Sequence, residues 1–111
     1  MSDIVIDEFE TLLEANNVES NYVLQLFDYY HQRLMEQHEL LEVLERYDIS
    51  IDDCRSKRLA YCDRTLNRLF EQSRTADGGA CRGCLKRLGL INYSGHELFR
   101  GCFVEPLFVR N

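Results

Sequence analysis

From Ser20 to Tyr47 the chain carries no proline and no glycine and is built almost wholly from residues that favour helices. Its apolar residues Val23, Phe27, Tyr30, Leu34, Leu41 and Leu44 return at helical spacing, the pattern of an amphipathic helix that needs partners along one face. At about 1.5 Å per residue the stretch would reach ~40 Å if unbroken, longer than a small domain is wide. It is therefore either the spine of a helical bundle or two helices separated by a bend. The rest of the chain has to pack around it.

A chain of 111 residues forms one domain, or one domain with a small appendage. Its 45% hydrophobic and 29% charged residues are an ordinary balance for a chain that buries a core. No apolar run approaches the ~18 residues needed to cross a bilayer. The first ten residues, MSDIVIDEFE, are acidic where a secretory signal would be basic and then apolar. These features predict an intracellular protein, cytoplasmic or nuclear, with its five cysteines reduced. An odd cysteine count also fits poorly with a complete disulfide framework.

Two asymmetries divide the sequence. Residues 1–50 hold 12 acidic and 2 basic side chains (−10), whereas residues 51–111 hold 7 acidic and 11 basic (+4), together the net charge of −6. The acidic half repels phosphate backbones, which disfavours nucleic-acid binding by the whole surface. The basic half can face the acidic half within one fold, or bind an acidic partner, a second copy in a homodimer included. The second asymmetry is in backbone vocabulary: all six glycines and the single proline, Pro106, follow residue 77. Turns and extended segments become favourable there. A joint at Thr75-Ala76-Asp77-Gly78-Gly79 predicts a helical unit over 1–77 and a smaller module over 78–111.

Residues 3–16 place Val5, Phe9, Leu12 and Leu13 on one helical face, with early carboxylates near the favourable end of the dipole. Asn16-Asn17 is a plausible stop. On the central stretch His31 and His38 lie two turns apart and share a face. They fit a metal pair or a pH switch, although no cysteine or carboxylate at ligand spacing joins them there, and half-buried imidazoles flanking the core is the plainer role. Tyr47-Asp48-Ile49-Ser50 interrupts the pattern, and Ser50 followed by Asp52 and Asp53 reads as a fresh cap. A third helix is expected over 51–74, with Leu59, Cys62, Leu66 and Leu69 turned inward and a basic remainder.

Chemistry, if present, concentrates in residues 80–111. Cys81-x2-Cys84-x11-His96-x5-Cys102 offers three thiols and one imidazole, a donor set suited to a closed tetrahedral zinc site. The segment has few aliphatic residues, and a structural zinc ion would supply stability that its own core lacks. The alternatives are thiols without metal or a redox dithiol. Gly89 stops a helical turn at Leu85–Leu88, and Leu90 to Val104 suggests a short hairpin. The run from Leu85 to Ile91 also looks like the end of a winged-helix recognition helix entering its wing. Arg82, Lys86, Arg87 and Arg100 are the side chains that would meet nucleic acid or an acidic partner. No serine–histidine–acid set, phosphate loop or H-E-x-x-H element is present, so an enzyme is not expected.

Over residues 8–47 the succession Phe9, Leu12-Leu13-Glu14, Asn17-Val18-Glu19, Leu24, Leu26-Phe27 and His38-Glu39-Leu40-Leu41 resembles the back half of a death effector domain. The family's R-x-D-L motif corresponds to Gln37-His38-Glu39-Leu40, which keeps the acid and loses the cation of the family's surface charge network. The resemblance implies a protein-interaction role in death-receptor or caspase signalling, as in a viral or shortened homologue. The C-terminal segment in turn resembles a C2HC-type zinc knuckle. The expectation is thus a mainly α protein: a small bundle of about three helices carrying a C-terminal β-hairpin module that contains cysteine and histidine. Its expected role is regulation or adaptation through protein–protein contact. A zinc-dependent nucleic-acid-binding regulator is the alternative.

Overall fold

The computed structural model describes residues 6–13, 18–66, 68 and 76–110. In chain order they form β1 (Ile6–Leu13), α1 (Val18–Met35), α2 (His38–Arg46), α3 (Ile51–Ser56), β2 (Ala60–Tyr61), α4 (Ala76–Arg87) and β3 (Phe103–Arg110). Helices dominate, as the composition predicts, but the two ends of the chain meet in a sheet of order β1-β3-β2. β1 runs parallel to β3 in the register Ile6↔Phe103 to Leu13↔Arg110. β2 pairs antiparallel on the other side, Ala60 with Val104 and Tyr61 with Phe103. Val5, Leu69, Thr75 and the stop at Asn16-Asn17 lie outside the described residues.

The helix expected over 3–16 is therefore a strand where the structure describes it. Its apolar spacing suits a helical face, but pairing decides the outcome. β3 is rich in Phe and Val, and Pro106 bars it from a helix. Such a strand must find a neighbour for its backbone groups, and residues 6–13 supply one. Pro106 itself has no N–H to offer. It is tolerated because β2 reaches only Phe103 and Val104, so nothing described pairs with β3 on that side at Pro106.

The sheet separates two apolar clusters. Phe9, Ala60 and Val104 join the first, with Val23, Leu26, Phe27 and Tyr30 of α1, Cys81 and Leu85 of α4, and Leu90, Ile91 and Phe99. Ile6, Tyr61 and Phe103 pack on the second, with Leu34, Leu41, Leu44, Cys54 and Leu59. Cross-strand partners fall in the same cluster, as side chains on one face of a pleat must. Among the described residues only α1 contributes buried residues to both, so the central stretch is the spine, with its first part on one cluster and Leu34 in the other.

That spine is two helices. Gln37 is extended (φ −107, ψ 92) and α2 restarts at His38. The bend is held by side chains rather than by proline or glycine: Gln37 Nε2 donates to the Arg33 carbonyl at 2.8 Å and to Asp63 Oδ2 at 3.3 Å. Ser50 caps α3 as expected, with a reciprocal pair of bonds to Asp53. The helix expected over 51–74 nevertheless ends at Ser56. Arg58 takes a left-handed conformation (φ 51), Leu59 N returns to the Cys54 carbonyl at 2.9 Å, and the chain enters β2.

In the C-terminal region Cys81, Cys84 and residues 76–79 of the expected joint lie in α4. Gly78, Gly79 and Gly83 sit inside this helix, each unfavourable by about 1 kcal/mol relative to alanine. Burial offsets that cost, since Cys81, Cys84 and Leu85 recur at helical spacing and are all buried. Gly89 stops the helix as expected, with φ 78 and a bond from Leu90 N to the Leu85 carbonyl at 2.9 Å. A small hairpin follows, joined by the Ile91↔Glu97 bridge. The segment from Phe103 does not belong to it and instead forms β3.

Candidate functional site

The four residues of the zinc reading sit in different surroundings. Cys81 and Cys84 are buried on α4, a turn apart. Burial first, and then the neighbouring Cys84, pushes the Cys81 thiol up. Cys102 is half-buried just ahead of β3, its Sγ 3.7 Å from the Arg100 carbonyl; burial and then Asp7 raise its pKa. His96 is exposed beyond the bridge of the hairpin, its backbone N–H donating to Asn92 Oδ1 at 2.9 Å. Among the described residues no group of three or more His, Cys, Asp and Glu side chains is placed to hold a metal ion. Cys54 and Cys62 are buried too, and burial lifts the Cys62 thiol to about 11.

The two central histidines are parted by the bend. His31 Nδ1 donates to the Leu59 carbonyl at 2.7 Å, because a carbonyl can only accept, and so ties α1 to the turn before β2. His38 is exposed at the start of α2. Of the basic side chains, Arg82 and Arg87 are exposed on α4 and Lys86 is half-buried. Arg100 is exposed after the hairpin, where its Nη1 donates to the Glu97 carbonyl at 3.0 Å.

Two polar constellations have no counterpart in the sequence pattern. Along α1 a cleft of about 430 Å³ is lined by Gln25, Asp28, Tyr29, Gln32, Arg33, Glu36 and Arg68. Its charges are largely matched within the protein: Arg33 Nε bonds Asp63 Oδ2 at 2.6 Å, and Arg58 pairs with Asp28. Tyr29 Oη meets Thr65 Oγ1 at 2.7 Å. Burial opposes the charge on Asp63, but hydrogen bonds from Thr65 and Arg33 outweigh it and hold the carboxyl below its ordinary range. The second constellation is internal. Tyr30 donates to Oε1 of Glu97 at 2.8 Å, with Cys62 beside both.

A third feature opens outward, and of its carboxylates Asp52 lies 3.8 Å from Arg55 Nη1. Between α2 and α3 lies a groove of about 250 Å³, lined by His38, Leu41, Glu42, Glu45, Ser50, Ile51 and Asp52. Its apolar part is Leu41 with Ile51, which is 46% exposed. Its rim is acidic. The order of elements produces this arrangement: α2 commits Leu41 and Leu44 to the core, which turns Glu42 and Glu45 outward, and the Ser50 cap then sets Ile51 and Asp52 opposite them.

Among the described residues no helix is long and apolar enough to cross a membrane. In comparisons with known protein families, curated proteins and solved structures, nothing matches this chain.

Proposed function

We propose that this chain is a non-enzymatic regulatory or adaptor protein that acts through protein–protein contact, and that the groove between α2 and α3 is its docking site. The observation that carries the reading is the combination of an exposed apolar side chain, Ile51, with an acidic rim of Glu42, Glu45 and Asp52. Exposed apolar surface ringed by charge is the usual form of a protein contact site. The rim selects a partner with basic side chains around an apolar anchor. The buried cysteines agree with a role outside catalysis, because raised pKa values keep thiols protonated and poorly nucleophilic at neutral pH. A zinc ion on Cys81, Cys84, His96 and Cys102 is not needed for this contact.

The test is a titration of isotopically labelled protein with a synthetic amphipathic peptide carrying a leucine face flanked by lysines. Amide shifts confined to α2 and the start of α3, lost in the Glu42→Lys, Glu45→Lys variant, would support the groove. Shifts spread over the surface, or surviving the double charge reversal, would remove it. A second reading, a nucleic-acid-binding regulator, is favoured by Arg82 and Lys86 standing one turn apart on α4 with Arg87 beside them. Binding to DNA or RNA that falls steeply with salt and vanishes in Arg82→Glu, Lys86→Glu would put that reading first.

A further inference from the structure

The groove has a complement on the same molecule. α4 ends with Lys86 and Arg87 in its last turn and leads directly into Leu88, which is 45% exposed. The hairpin that follows carries Tyr93 at its tip, 98% exposed, and Leu98 on the returning limb, 53% exposed. Tyr93 stands out because the turn beneath it is firmly built: Gly95 N bonds the Asn92 carbonyl at 3.0 Å, and Asn92 Oδ1 accepts from Ser94 N and His96 N at 2.9 Å each. The local backbone thus holds a large aromatic ring out in solvent instead of folding it back. An exposed aromatic side chain, close in sequence to exposed leucines and to basic side chains, is the chemical complement of a groove that combines an exposed isoleucine with carboxylates.

We infer that these two surfaces bind each other between copies, so that the hairpin of one molecule, led by Tyr93, docks in the α2–α3 groove of a second. The occupant is a second copy of this chain, chosen by the match of the exposed aromatic side chain to the exposed isoleucine and of Lys86 and Arg87 to Glu42, Glu45 and Asp52. Because the contact joins unlike surfaces, it either closes reciprocally as a dimer or propagates head to tail. The segregation of charge along the chain, −10 in residues 1–50 and +4 in residues 51–111, acquires a purpose in this arrangement. The inference rests on the groove being a docking site and names what docks there.

Sedimentation velocity of the full chain over a range of concentrations, at low and at high salt, tests it. The expected result is self-association that weakens with salt. Glu42→Lys, Glu45→Lys and, separately, Lys86→Glu, Arg87→Glu should each raise the dissociation constant by on the order of tenfold or more, because each converts rim attractions into repulsions. An equimolar mixture of the two variants should associate again, since each retains one intact surface and the altered surfaces now complement each other. Tyr93→Ala, at a side chain with no packing to lose, should weaken association with an unchanged circular dichroism spectrum. A wild-type chain that stays monomeric at every concentration, or association indifferent to both charge reversals, overturns the inference. If the basic peptide still shifts α2 and α3 while the chain stays monomeric, the groove stands and only the second copy is lost. If neither binds, both readings fall.

Discussion

Tyr30, within α1, donates its buried hydroxyl to Oε1 of Glu97 across 2.8 Å, and so fastens the spine to the hairpin. Glu97 is 6% exposed, the one buried charged residue among those described. Burial first, and then the adjacent Cys62 and Glu97, hold the Tyr30 phenol far above its ordinary range, so it remains a donor wherever the fold survives. Tyr30→Phe removes that donor and leaves a buried acceptor unserved, which should destabilise the chain by ~1–3 kcal/mol in urea unfolding. Glu97→Gln retains the acceptor oxygen and should be milder. The double variant should lose less than the sum of the two, since both changes break the same bond.

This bond also marks the limit of what the sequence discloses. Helix faces were legible at Val23, Phe27, Leu34, Leu41 and Leu44, all expected core residues and all buried; Leu59, Cys62 and Leu66 are buried as expected although the helix expected to carry them ends at Ser56. So were the stops and caps with local chemistry, at Ser50, Asp48 and Gly89. Illegible were the features decided by distant partners. Residues 6–13 carry a helical spacing and become a strand because β3 pairs with them across the whole length of the chain. The C-x2-C pair stands in a glycine-rich setting that suggests a turn, and it lies on a buried helix face, because packing outweighs local propensity. Glu97, beside His96 in a turn-rich stretch, has no local sign of burial. The groove was half visible, since the acidic character of α2 is plain but its opposition to Ile51 depends on how sharply the chain turns at Asp48.

Asp63 predicts a pH dependence. Its folded pKa is depressed by Thr65 and Arg33 against the opposing effect of burial, so the sign follows directly. Its stabilising contribution is fully present above the unfolded value of about 3.9 and is lost as pH falls through the lower folded value. Thermal unfolding between neutral pH and pH 2 should therefore show acid destabilisation that is weaker in Asp63→Asn. The variant should be less stable than the wild type at neutral pH, where the Arg33 Nε bond at 2.6 Å loses its charged acceptor, and the two should converge toward pH 2. Parallel profiles over the whole range would show that Asp63 is not a linked group.

Ser50 predicts a local effect with a wider consequence. Its Oγ accepts from Asp53 N at 3.1 Å, and Asp53 Oδ2 accepts from Ser50 N at the same distance. Ser50→Ala should cost about 1 kcal/mol, the usual loss on removing such a cap. α3 is short and contributes Ile51 and Asp52 to the groove, so the same substitution should weaken peptide binding at the groove more than its small stability change suggests. Ser50→Asp restores a capping acceptor and should recover stability and most of the binding.

The cysteines of α4 set the buried-thiol reading against the metal one. Zinc binds thiolate, so a site assembled from Cys81 and Cys84 would displace the protons of two buried thiols. It must also bring in His96, which the hairpin holds exposed, and Cys102, which lies near Asp7 and the Arg100 carbonyl. The expected outcome is that elemental analysis of the purified chain finds well under one zinc per molecule and that a chelator leaves thermal unfolding unchanged. Cys81→Ala and Cys84→Ala should each cost about 1 kcal/mol by removing buried apolar surface, with or without chelator. One zinc per chain, lost together with stability on Cys81→Ser or Cys102→Ser, would reverse this. It would mean that the hairpin can move toward α4, and Tyr93 with it, so docking by the hairpin would then depend on metal.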